Sequence, residues 1–377
     1  MFINALSIGL IVPLMYPLSI KFGLNPTGLS LLFTSFSIGQ FFATPIIGRL
    51  SDKYGRKPLL LICLAGTSLA FALLASAQSV VMLFAARIFD GITGGNISVA
   101  NAVVADITDE KNKPKAFGIL GASFGAGFLI GPAIGGVLSD NSISAPFWFA
   151  CGLSAVGVVL GMFMLKESNK HRANERFLFR NTLNFTIPFK SLRKPAVGIF
   201  ITLGLFTAMA HHSMIIGFQT YTVDILGLNP RQIGLFFTCF ALIIVIMQAV
   251  GINVILKKIS KKQYVLLGTL TLMFIGFITA YFSNTLGIFA LAIFIYTLGS
   301  SIKEPLIQSL ISERTKNNEQ GKVLGIYQSY ISMGQILGPL LAGLVALISI
   351  QSIFLFAAIM ILFSLVTVIK SLRINKI

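Results

Sequence analysis

The chain has 377 residues, 55% of them hydrophobic and only 11% charged, with a mean hydropathy of +0.87, a net charge of +17 and a pI near 10. A soluble domain carries about 25% charged residues, so this chain lacks the groups to cover a water-facing surface, and hydrocarbon must solvate it instead. The basic excess does not mark a nucleic-acid partner, because it is spread over alternate loops rather than gathered on one folded face with aromatics.

Crossing a bilayer core of about 30 Å takes about 20 apolar residues as a helix. Such runs are predicted at 2–20, 29–49, 58–77, 79–105, 116–138, 146–165, 195–217, 231–255, 264–282, 287–311, 323–347 and 351–369. The expected fold is therefore an all-α integral membrane protein of twelve helices. Residues 1–165 would form one six-helix bundle, 166–194 a polar central loop and 195–377 a second bundle. No basic n-region or cleavage site precedes the first span, so no removable signal is expected.

In chain order, the first span places Asn4 ahead of Gly9 and Pro13. The loop after the second reads Gly48-Arg49-Leu50-Ser51-Asp52-Lys53-Tyr54-Gly55-Arg56-Lys57-Pro58. The fourth span holds Arg87 and Asp90, one helical turn apart, with Gly94, Ile97 and Asn101 on the Asp90 stripe and Asp106 at its end. The fifth has Gly127, Gly131 and Gly135 at four-residue spacing, a flat face that admits a close helix neighbour. Gly121 and Gly125 lie on another stripe, Gly136 follows, and Pro132 removes a backbone donor and permits a bend. The seventh carries His211 and His212, with Thr207 and, just past the predicted end, Gln219 in line with them; the tenth carries Lys303 and Glu304, predicted to point about 100° apart. Aromatic Phe36 and the amides Gln40 and Gln328 are further cavity contacts.

All of the 29 Lys and Arg except Lys21, Arg231 and the intramembrane Arg87 and Lys303 fall in loops on one side. This positive-inside asymmetry puts the central loop and both termini in the cytoplasm of a plasma-membrane (inner-membrane) protein. Cys63, Cys151 and Cys239 stand singly in three spans, so neither a disulfide framework nor a metal site is expected. No phosphate loop, catalytic triad or metal-ligand spacing occurs, and no cofactor is expected; a membrane enzyme or a transport-dead sensor is the remote alternative.

The two halves resemble each other. Gly23-Leu24-Asn25-Pro26 returns as Gly227-Leu228-Asn229-Pro230, Gly127, Gly131, Pro132 and Gly136 return as Gly334, Gly338, Pro339 and Gly343, and Asp106 returns as Glu313. Parallel six-helix repeats build secondary transporters whose substrate site lies near the midplane between the halves.

The 48–58 loop resembles the signature between helices two and three of the major facilitator superfamily. The stretch Arg87 to Thr108 is similar to helix four of the tetracycline/proton antiporters and related twelve-helix drug exporters, and Gly121 to Gly136 resembles the helix-five motif of antiporters. The resemblance implies the major facilitator fold in two pseudo-symmetric bundles, and a proton-driven antiporter exporting small hydrophobic compounds, working as a monomer. It also implies that Gly48, Asp52, Gly55 and Arg56 form a gating latch reached by Asp106, and that the helix-five face seals the outward path. The second-half copy, Leu256 to Lys262, has lost the acid and the glycines, so the latch is expected on one side only. Tetracycline-type antiporters carry an acid where this chain has Asn4, so either proton coupling has moved to Asp90, Glu304 or a His, or the substrate differs from tetracycline. Of these Asp90, beside Arg87, is the expected carrier, with Glu304 assisting or contacting a cationic substrate. Alternatives remain open here: Arg87–Asp90 as a neutralised structural pair, His211 as an ordinary hydrogen-bonded histidine, and a nutrient or metabolite carrier instead of a drug exporter.

Overall fold

The computed structural model describes residues 1–109, 112–169, 195–259, 261–315 and 320–374. Most of the predicted central loop, from 170 to 194, and the basic residues Lys111, Lys316 and Lys376 lie outside these ranges. Twelve helices follow in order: α1 Phe2–Ile20, α2 Pro26–Tyr54, α3 Arg56–Ala75, α4 Val80–Ile107, α5 Lys113–Leu138, α6 Ala145–Met164, α7 Pro195–Thr220, α8 Pro230–Lys258, α9 Lys262–Tyr281, α10 Leu286–Arg314, α11 Gln320–Val345 and α12 Ser352–Ile374. All but α11 are both long and apolar enough to span a membrane on hydropathy alone; α11 has the length but carries Gln328, Ser329, Tyr330, Ser332 and Gln335.

The repeated Gly-Leu-Asn-Pro has a local cause. Gly23 and Gly227 take φ of 73° and 61°, the left-handed conformation that turns the chain out of α1 and α7. The next helix is then capped by Asn25, whose side chain accepts from Gly28 N–H at 2.9 Å, and by Asn229, which accepts from Gln232 N–H at 2.9 Å. Pro26 and Pro230 open their helices, where a missing N–H costs nothing. Ser79 and Thr285 cap α4 and α10 in the same paired way.

Three departures from a straight helix matter. Around Pro13, α1 tightens into a 3₁₀ turn over Val12–Leu14. In α4 the α-helix stops at Thr93 and resumes at Asn96, across Gly94-Gly95. The expected continuous stripe from Asp90 to Asn101 is therefore broken by two glycines, and Asn101 is exposed. Gln219, expected beyond the end of α7, lies inside it and is fully buried, because the helix runs to Thr220 and continues as a π turn over Tyr221–Ile225.

The described residues divide into two compact units: those up to 169 with Leu228–Thr238, and those from 195 to Gly227 with Cys239 onward. In the first, α1 packs on α5 and α6, and α3 on α4 and α6; in the second, α7 packs on α11 and α12, and α9 on α10 and α12. Equivalent pairs thus form in each unit. Small residues set the distances. A methyl group built on Gly127, Gly131 or Gly135 would sit 2.5 to 2.8 Å, or closer, from the α1 backbone at Phe2, Leu6, Gly9 or Leu10. Gly334 and Gly338 hold α11 equally close to Leu205 and Met209 of α7. Outward-facing positions are large and apolar, including Val81, Phe163 and Ile348, as a lipid-facing surface requires.

Candidate functional site

The turn between α2 and α3 is built as a charged cluster. Gly55 has φ of +112°, which excludes other residues, and reverses the chain so that Arg56 starts α3. Arg56 Nη1 lies 2.5 Å from Asp52 Oδ1 and donates to Ser51 Oγ at 2.7 Å, while its Nε donates to Asp106 Oδ2 at 3.1 Å. Asp52, Arg56 and Asp106 are thus brought together. Gly48 is not required by packing, since a methyl group there meets open space.

One member of this cluster was not expected. Glu167, just past α6, accepts from the backbone N–H of Arg56 at 2.8 Å and of Lys57 at 3.2 Å, capping the exposed donors at the start of α3. Ser168 Oγ reaches Asp106 at 3.2 Å, and Asn169 Nδ2 donates to the Asp52 carbonyl at 2.7 Å. Burial alone would raise the Glu167 pKa, but backbone N–H donors from Asn169, Arg56, Lys57 and Ser168 outweigh it and hold the carboxyl below its ordinary 4.5. A depressed acid stabilises above its ordinary value and loses that contribution as pH falls through the depressed one. The melting temperature of the unmodified chain should therefore exceed that of Glu167→Gln at neutral pH, with the gap closing in acid. In the second unit Lys262 pairs with Glu313 and donates to Ser309 Oγ at 2.7 Å. A single ion pair thus stands where the first unit has its cluster, without the loop acid and glycines. Ion pairs this close to water contribute about 1 kcal/mol, enough to bias two states of similar energy. Asp52→Asn is expected to cut transport about fivefold or more while membrane insertion is retained, as checked by uptake and surface labelling.

Deeper in the first unit, Arg87 Nη1 donates to Asp90 Oδ2 at 2.8 Å, and both side chains are buried. The Arg87 guanidinium lies 4.2 Å from the Phe36 ring centroid, a cation–π contact. Its Nε has no hydrogen-bond partner among the described residues. Asn4 exchanges two side-chain hydrogen bonds with Asn96, at 3.1 and 3.4 Å, joining α1 to the second segment of α4. Gln40 donates to the Gly94 carbonyl at 3.3 Å, and Gly91 touches the α2 backbone at Phe36. The α4 break therefore turns a polar edge toward α1 and α2.

The second unit contains a cavity of about 390 Å³ between α7, α8, α10 and α11. His211, His212, Lys303, Glu304 and Gln328 line it together with Gln248. Glu304 accepts from Tyr327 Oη at 3.1 Å and Gln308 Nε2 at 3.3 Å, and Lys303 Nζ is 3.7 Å from Glu304 Oε2. The expectation that Lys303 and Glu304 point apart is corrected, since a four-carbon stem folds back across 100° of helix. His211 Nδ1 is hydrogen-bonded to Tyr296 Oη at 2.6 Å. Tyr296, Tyr327 and Asn96 were missed; hydroxyls and amides at membrane depth were the available signal.

At the far end of α5, Gly127, Gly131 and Gly135 face α1, whereas Gly121 and Gly125 meet open space. Gly136 lies against Arg231 and Pro230, Gly234 against the carbonyl of Pro132, and Arg231 Nη1 pairs with Asp140 at 3.2 Å. Cys63, Cys151 and Cys239 are free thiols.

Among the described residues, twelve helices packed in equivalent pairs, eleven of them long and apolar enough to cross a membrane, define a polytopic membrane protein. The family model of the Major Facilitator Superfamily matches residues 1–228 and 201–375, and the chain belongs to that family. It is 32% identical over 356 residues to the class D tetracycline resistance protein of Salmonella ordonez, covering 90% of this chain and 86% of that one. It is 28% identical over 361 residues to multidrug resistance protein 2 of Bacillus subtilis (strain 168), covering 94% and 89%. Its fold matches that of a bacterial homologue of the human lysosomal transporter Spinster, with a TM-score of 0.78 at 12% identity over 99% of this chain and 94% of that one.

Proposed function

We propose that this carrier is a proton-coupled antiporter that exports drugs or other small hydrophobic compounds by alternating access. It works as a monomer in the inner (plasma) membrane, with both termini and the central loop in the cytoplasm. The observation that carries the reading is the buried Arg87–Asp90 pair, an ionisable couple kept at membrane depth although a charge there costs about 2.5 kcal/mol or more. Chain-long similarity to proteins named for tetracycline and multidrug resistance supports export as the direction. Asp90 carries the proton and Glu304 assists. The cluster at Asp52, Arg56, Asp106 and Glu167 acts as a latch for one access state, and the α5 face with Arg231–Asp140 for the other.

A nutrient or metabolite carrier is the second reading. It is favoured by the Asn4–Asn96 amide pair, which holds no exchangeable acid at the position where the resemblance to tetracycline exporters implies one. Reconstituted transport under an imposed pH gradient separates the two, with tetracycline, cationic dyes and common metabolites as substrates.

A further inference from the structure

The polar cavity of the second unit has an arrangement that says what it binds. Lys303 is only 8% exposed, yet the single carboxylate beside it, Glu304, stands at 3.7 Å, longer than a hydrogen bond. Both Glu304 oxygens are already engaged, one by Gln308 and the other by Tyr327. The ammonium has three donors, and with no hydrogen bond to the described residues it presents them to the cavity. The other titratable groups facing it are His211, held by Tyr296, and His212, which lies edge-on to His211. Neither supplies a negative charge. A cation entering here would meet the Lys303 ammonium, while the one carboxylate that could offset it, Glu304, is already engaged by Gln308 and Tyr327. An acidic oxygen would complete the lysine's coordination. Ala208, Ile244 and Ile331 give the wall an apolar part among the polar Thr207, Gln248, Ser300, Ser301, Gln308 and Gln328, and the volume is in the range of small-molecule sites.

We propose that Lys303 anchors the acidic group of an amphipathic substrate whose apolar body lies along Ala208, Ile244 and Ile331. The inference rests on the reading of the chain as an exporter of small compounds and replaces a cationic contact at Glu304 with an anionic one at Lys303. In this arrangement Glu304 competes with the substrate acid for Lys303 and is displaced when the substrate binds.

The test is binding of three biphenyl probes to the full chain purified in detergent, measured by calorimetry. The probes differ only in head group: a carboxylate, its primary amide and a methylammonium. The carboxylate should bind about tenfold more tightly than either of the others, the worth of one charge-assisted hydrogen bond. Lys303→Gln should remove that preference and Lys303→Arg should keep it. Glu304→Gln should tighten carboxylate binding, because the competitor is gone, whereas a merely structural glutamate would leave it unchanged or weaker. If Lys303→Gln does not fold, the Lys303→Arg and Glu304→Gln results decide. Equal affinity for the three probes, or an amine preference lost in Glu304→Gln, would overturn the proposal. Vesicle transport of the same probes separates the two claims. Selective binding without transport leaves the acid site standing and removes the export reading; transport that is indifferent to head group and to Lys303 does the reverse.

Discussion

Replacing Asp90 with Asn is expected to abolish proton-driven accumulation while leaving downhill exchange of substrate intact. A proton carrier has to bind a proton in one access state and release it in the other, so it needs a partner whose hold on it can change. Asp90 has that partner in Arg87 at 2.8 Å, and Arg87 has a second resting place on the Phe36 ring, 4.2 Å away. The guanidinium can therefore let go of the carboxylate without losing all stabilisation. Asn keeps the size of the side chain but cannot exchange a proton. The complication is that removing one member of a buried pair leaves an uncompensated charge, which costs about 3 to 5 kcal/mol. The double variant Arg87→Gln/Asp90→Asn removes that cost, and it should insert and exchange substrate normally yet still fail to accumulate it. Accumulation restored in the double variant would make the pair structural. Accumulation kept by Asp90→Asn and lost by Glu304→Gln would move the carrier to the second unit.

The other large effect is on stability. Gly131→Leu should prevent a stable fold, because a methyl group alone at this position would lie 2.8 Å from Gly9 and Leu10 of α1, and those atoms are backbone. Backbone cannot rotate aside as a flexible side chain can, so α1 and α5 must separate along their whole contact. Overpacking in a dense core costs about 1–3 kcal/mol and occasionally more, and here the α1–α5 seam is continuous through Gly127, Gly131 and Gly135. Gly121→Leu is the control. It adds the same bulk to the same helix, where the structure has open space, and should melt close to the unmodified protein. Equal melting temperatures for the two leucine variants would remove the packing argument.

Much of the architecture is legible in the residues because it is locally determined. Gly-Leu-Asn-Pro encodes a turn, a cap and a helix start within four residues, so its recurrence marks the same junction in both halves. The Asp52–Arg56 pairing follows from i,i+4 spacing, and the glycine face of α5 from its period. What escapes is set by tertiary placement. Glu167 is an acid beside Lys166 in a basic loop, and nothing in its neighbourhood says that it will cap a helix 111 residues earlier. The Asp90–Asn101 stripe assumes an unbroken helix, whereas Gly94-Gly95 interrupts α4 and turns Asn96 onto Asn4. Lys303 and Glu304 look divergent on a helical wheel, which fixes Cβ directions but not where a long side chain ends. Their meeting with His211, His212 and Gln328 depends on how α7, α10 and α11 pack, which no local pattern contains.

Counterflow of substrate and protons tests the central claim most directly. The chain would be reconstituted into liposomes with an acidic lumen and a lumenal pH dye, then given tetracycline, cationic dyes or common metabolites outside, with protein-free liposomes subtracted. The account predicts that at least one drug-like compound accumulates inside while the lumen becomes more alkaline in step, and that collapsing the gradient with an ionophore abolishes both. Accumulation that survives the ionophore, or that proceeds with no proton leaving the lumen, would contradict it.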